Sequence, residues 1–184
     1  VVDKNGDPLV VYHGSPDARF VNEDGIFKGQ SERYGMGSST GGAFWFAASK
    51  QTAKSYADDR RAFDYQNAEA GVVPAYLKLE NPLVINGLGL HWRQAQKRGK
   101  TSDVIEEAKA KGHDGVIIRN VKDDYNNHAG TAATDTYVVF SSTQIKSSEI
   151  NNGNFEALDP DIRHRIVESE DTSLYKTRTA DQVG

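Results

Sequence analysis

The chain has no cysteine among its 184 residues, which excludes disulfides, thiolate metal sites and a cysteine nucleophile. No apolar run approaches the ~18–20 residues that a membrane-spanning helix needs. Basic residues form no stripe: 22 Lys and Arg are interleaved with 26 Asp and Glu, for a net charge of −4 and a pI of about 5.7. That balance disfavours an extended nucleic-acid surface and leaves a small anionic ligand or a protein surface open. The opening residues, Val1-Val2-Asp3-Lys4-Asn5-Gly6, have no basic stretch leading into an apolar core, so no secretory signal is expected. They also lack an initiator Met, and the expectation is a segment of a longer chain. His91, His113, His128 and His164 show no metal-ligand spacing and read as surface or loop residues. No Gly-x-Gly-x-x-Gly or Walker loop is present to cradle phosphates.

What is present suffices for one ordinary domain with a core. Residues 8 to 12 read as a buried strand, followed from Phe20 to Gly42 by a loop of Gly, Ser, Asn and charge. Ala43 to Ala47 is a short aromatic strand, and Ser49 to about Arg61 a helix with Ser49 as its N-cap. Strands are expected at Val72–Leu79, Leu83–Ile85, Gly115–Arg119 and Thr136–Phe140, with Gln144–Ile150 extended. His91–Arg98 reads as a helical turn or two. Asp103–Lys111 reads as a helix, with Asp103 and Glu106 at capping-box spacing and Gly112 as its stop. Gly112-His113-Asp114-Gly115 reads as a turn. After Asn151 the apolar pattern fades: residues 1–155 are expected to form the domain and 156–184 a tail or linker, with Ile162–Val167 a short helix. Many short strands around two or three small helices argue an α+β fold rather than a doubly wound parallel sheet.

The informative constellation is Tyr12-His13-Gly14-Ser15 at a strand end, Phe44-Trp45-Phe46-Ala47 on the next strand, and Tyr56 on the helix after it. A His-Gly-Ser corner with one aromatic on a strand and another on a helix builds a slot for a flat cationic ring, and points to NAD+ used as a substrate. Taken singly, His13 is an ordinary strand-end residue, Trp45 and Tyr56 are ordinary core aromatics, and Thr136 is an ordinary β-branched strand residue.

These residues resemble the ADP-ribosyltransferases of the His-Tyr-Glu type, and more narrowly the ADP-ribosyltransferase domains of phage polyvalent proteins. The resemblance runs through Val11–Pro16, Phe44–Ala47, Ala53–Ala57, Leu79–Leu83, Gly112–Ile117, Tyr137–Phe140 and Gln144–Ser147, and ends in Asn152–Phe155 and Asp159–Arg163. It implies a split antiparallel sheet with small peripheral helices, and NAD+-dependent mono-ADP-ribosylation of a macromolecular acceptor, a host protein in the cytoplasm reached by a toxin-like effector. It implies that His13 holds the adenosine ribose, that Gly14 meets the nicotinamide carboxamide, and that Ser15 orders the corner. Trp45 and Tyr56 would then sandwich the nicotinamide. Arg19, Lys28 or Arg33 would meet the pyrophosphate.

The family's glutamate is missing; Thr136 stands in its place, preceded by Asp135. A neutral hydroxyl cannot supply the charge, and losing such a partner costs on the order of 10²–10³ in rate. Three readings stay open. Thr136 works with slower chemistry; or Gln144, Asp135 or a loop acid (Glu23, Asp24, Glu32) takes the role; or the domain is a catalytically silent NAD+-binding or interaction module. NAD+ glycohydrolysis is a further alternative. Alternation puts Asp135 on the face opposite Thr136 unless a bulge re-aims it. If Thr136 occupies the glutamate site, Thr136→Glu is expected to leave the fold intact and raise nicotinamide release.

Overall fold

A computed structural model describes residues 1–19, 21, 25–28, 42–58, 68–95, 101–124, 131–151, 155 and 159–163. The fold is α+β. Its strands are β1 (Val11–Ser15), β2 (Phe44–Ala47), β3 (Gly71–Leu77), β4 (Leu83–Asn86), β5 (Gly115–Val121), β6 (Thr134–Val139) and β7 (Ile145–Ser147). Its helices are α1 (Lys50–Ala57), α2 (Trp92–Ala95) and α3 (Thr101–Ala110). The strands form one sheet in the order β4-β5-β6-β2-β1-β3-β7, antiparallel except where β4 lies parallel to β5. Among the described residues no helix is long and apolar enough to cross a membrane.

Strand alternation divides the core in two. Direct pairing sets Phe46 opposite Tyr137 on one face, and Trp45 opposite Val138 and Ala47 opposite Thr136 on the other. The first face buries Val11, Phe46, Val73, Tyr137 and Val139 against Ala18, Phe27 and Ile162. The second buries Val116, Ile118, Val121 and Val138 against Trp92 and the α3 residues Val104, Ile105 and Ala108. Helix α1 lies over the same second face, packed on β1, β2 and β3. Fully burying a side chain such as Phe46 or Phe27 contributes roughly 1.5–3 kcal/mol.

The first strand runs over residues 11–15 rather than the expected 8–12, so the His-Gly-Ser stretch is strand rather than corner. Pro8 makes only an isolated bridge with Val2, while Ser15 still pairs with Gly71 of β3. Ser49 caps α1 as expected, accepting a bond from Thr52 N at 3.3 Å. Helix α3 begins at Thr101, which places Asp103 inside the first turn instead of at the cap. There its charge favours the helix dipole. Of the residues expected to be extended from Gln144 to Ile150, Ile145–Ser147 form β7, while Gln144 closes the 3-10 turn Ser142–Gln144 and residues 148–150 form a further turn.

The segment 159–163 does not behave as a tail. Ile162 is buried in the first core, and Ser147 N donates to its carbonyl at 2.8 Å. Lys146, fully buried, donates from Nζ to the Asp159 and Asp161 carbonyls at 3.1 and 2.7 Å. Those two bonds offset part of the cost of burying an ammonium, which has three donors. The expected helix from Ile162 to Val167 lies outside the described residues beyond Arg163.

Candidate active site

The sheet is weakest in the middle. Strand β1 pairs with β3 from Val11↔Ala75 to Ser15↔Gly71, but with β2 through Tyr12↔Ala47 alone. Past that pair the two strands part, and the His13 imidazole bridges the gap: Nδ1 lies 2.8 Å from the Trp45 carbonyl oxygen. A carbonyl only accepts, so Nδ1 carries the proton. The ring packs edge-on to Phe27 at 5.1 Å and tilted on Phe46 at 5.4 Å, on the first face.

Gly14 points the other way. A Cβ there would stand 1.7 Å from the Ala53 carbonyl oxygen, so glycine alone permits α1 to lie this close to the seam. Ser15 is buried, its hydroxyl donating to the Asp17 carbonyl at 2.6 Å and accepting from Asp17 N at 3.2 Å. Its hydroxyl closes the turn after β1.

On the α1 side Tyr56 and Thr136 converge on one carboxylate, Asp123. Tyr56, half-buried, donates from its hydroxyl to Asp123 Oδ1 at 2.7 Å. Thr136, 1% exposed, donates to Asp123 Oδ2 at 3.1 Å. Trp45 shares their face, half-buried, with its ring against Trp92 at 5.9 Å. Trp45, Tyr56 and Thr136 therefore stand on one side of the sheet. The His13 ring lies on the other, joined to them through the Trp45 backbone.

Asp123 was invisible to strand parity. In β5, Val116 and Ile118 face the second core, and regular alternation would send residue 123 to the opposite face. The ladder slips: Ile118 pairs with Thr136, but Val121 pairs with Thr134, so β5 carries one extra residue. Asn120 takes φ 51 within that bulge. Val121 thereby joins the second core, and Asp123, two residues on, comes to the side of Thr136. The backbone beyond is fixed by Lys122 N donating to the Leu90 carbonyl at 2.9 Å and Trp92 N to the Lys122 carbonyl at 3.0 Å. The signal available in the sequence was an Asp pair, Asp123-Asp124, separated from the end of β5 by Lys122 alone.

Two other candidates for the glutamate's role, Asp135 and Gln144, are engaged elsewhere. Asp135 pairs with the Arg119 guanidinium and accepts from Asn120 N at 3.0 Å, so its carboxylate clamps the bulge. Gln144 accepts from Phe140 N and Ser141 N, both at 2.9 Å, and donates to the Lys78 and Asp114 carbonyls at 3.1 and 2.9 Å. Its amide is a backbone brace. Glu23, Asp24, Glu32 and Arg33 lie outside the described residues. Arg19 is held by Asp17, with Nη2 2.7 Å from Oδ2. His113 and Asp114 are structural: Asp114 accepts from Glu80 N and Asn81 N at 2.6 and 2.9 Å.

Burial pushes the Asp123 carboxyl above the ordinary aspartate range, against the opposing pull of the Tyr56 and Thr136 hydrogen bonds. Among the described residues no lysine or arginine pairs with it. The neighbouring Asp124 turns away, with Oδ1 3.5 Å from His91 Nε2 and Oδ2 accepting from Thr131. A glutamate at position 136 would be buried within reach of the Asp123 carboxylate. Contrary to the expectation from sequence, Thr136→Glu should therefore destabilise the fold.

A family model described as the ADP-ribosyltransferase in polyvalent proteins matches residues 3–155, which contain every element of this site. The comparisons with curated proteins and with solved structures found no match. With its matched span reaching from before β1 to beyond β7, the chain belongs to the ADP-ribosyltransferases of polyvalent proteins.

Proposed function

We propose that the chain transfers a single ADP-ribose from NAD+ to a macromolecular acceptor, a protein. The observation that carries this reading is the seam between β1 and β2, with Gly14 at its opening and Trp45, Tyr56 and Thr136 gathered on one face beside it. His13 holds the adenosine ribose, and the Gly14 backbone meets the nicotinamide carboxamide. Trp45 and Tyr56 flank the nicotinamide ring. Ring stacking contributes ~0.5–1.5 kcal/mol beyond burial, and the pyridinium charge adds about 2 kcal/mol when desolvated. Ser15 acts through the corner rather than by touching the dinucleotide.

The test is incubation of the purified chain with labelled NAD+ and a bacterial lysate. Label is expected on protein, and is lost in His13→Ala and in Tyr56→Ala. NAD+ binding without label transfer would make the domain a silent module, the reading that Thr136 at the glutamate position favours. Free ADP-ribose formed without any acceptor would make it a glycohydrolase.

A further inference from the structure

We infer that Asp123 is the acidic group of this site, a carboxylate carried in by the β5 bulge and held by the Tyr56 and Thr136 hydroxyls to face the positive charge of NAD+. The inference rests on the reading of the site as one for NAD+. Two observations support it. The carboxyl is 9% exposed, yet among the described residues its two hydrogen bonds come from neutral hydroxyls. A buried carboxylate without a bonded cation is costly unless some cation is brought to it. The two residues holding it are the helix aromatic and the residue at the glutamate position.

In the transfer, the bond from ribose C1′ to the nicotinamide nitrogen breaks with its electron pair going to the ring. The ring leaves neutral, and the positive charge moves to the ribose. An acceptor lone pair then forms the new bond at C1′, and the acceptor's proton passes to solvent. Asp123 keeps its charge throughout and stabilises the cationic sugar electrostatically. It bonds to Tyr56 and Thr136 rather than to a reacting atom, so it is a positioning and charge-bearing residue.

The groups that set its ionisation are Tyr56 from α1, Thr136 from β6, His91 beside β5, and Asp124 next in the chain. Burial and Asp124 push its pKa up; the two hydroxyls and His91 pull it down. Transfer should therefore show an acid limb above the usual aspartate range.

The experiment uses the full chain and three readouts: binding of cationic N-methylnicotinamide against neutral nicotinamide, nicotinamide release from NAD+, and the pH profile of that release. In Asp123→Asn the preference for the cation is expected to vanish while neutral nicotinamide still binds. Release should fall on the order of 10²–10³-fold, and the acid limb should disappear. Tyr56→Phe and Thr136→Val each remove one donor and should move the acid limb to higher pH; those two variants decide the matter if Asp123→Asn fails to fold. Should wild type bind NAD+ without releasing nicotinamide, cation preference alone decides. Asp123→Asn with wild-type preference, rate and acid limb overturns this inference and leaves the NAD+ reading standing. Wild type that binds no NAD+ overturns both.

Discussion

The two faces of the sheet handle carboxylates in opposite ways. On the first face, Asp17-Ala18-Arg19 and Asp161-Ile162-Arg163 form the same clip: the aspartate accepts from the backbone N–H and guanidinium of the arginine two residues on. The middle residue, Ala18 or Ile162, drops into the core. Hydrogen bonding from Arg19 and Arg163 holds both carboxyls below their ordinary range. On the second face Asp123 has hydroxyl partners and is pushed above that range by burial. A carboxylate supplied with its cation staples the fold. One buried with no bonded cation among the described residues is unfavourable to the fold.

Thr136→Glu attacks this contrast most directly by adding a second carboxyl beside Asp123. It should cost about 3 kcal/mol or more of stability in urea unfolding, and undiminished stability would show that the site can spread to accept it. Asp17→Ala should cost about 2 kcal/mol at neutral pH, since charge-assisted bonds to a nearly buried carboxylate are lost. A native pKa below the unfolded one stabilises above the unfolded value and stops doing so as pH falls through the native value. The Asp17→Ala deficit should accordingly close in unfolding curves taken well below about pH 3.9.

Asp123→Asn should have the opposite sign. With a native pKa above the unfolded one, wild type is favoured in acid and loses stability as pH rises through the native value. The amide has no such loss, so the variant should melt higher by about 1 kcal/mol or more towards neutral pH, while its transferase chemistry is impaired. A variant less stable than wild type at every pH would remove the claim that this charge opposes folding. Smallest of all, Arg163→Ala should cost about 0.5 kcal/mol, because both members of the Asp161 pair are about one-third exposed or more. Calorimetry at low and high salt would check it, the cost shrinking at high salt.

Much of the site was legible because its chemistry is local. Ser49 as a cap, the aromatic strand through Trp45, and Tyr56 at helical spacing follow from propensity and period. The shift of β1 was not, because pairing with β3 at Ser15↔Gly71 outweighs the apolar run at residues 8 to 11 that suggested an earlier strand. Nor was the place of Ile162. Its surroundings are polar in sequence, and its burial depends on Lys146 and Ser147 of β7 reaching the same segment.

Sequence alone determined the α+β class, the family, the aromatic pair and the absence of a glutamate before Tyr137. It raised a bulge as the device that would re-aim Asp135. Only the tertiary structure decided that the bulge lies in β5, clamped by Asp135, and that it brings the Asp123 carboxyl to Thr136. The physical reason is parity: one inserted residue reverses the facing of all that follow, and the pairing that absorbs it is made by a strand some fifteen residues away.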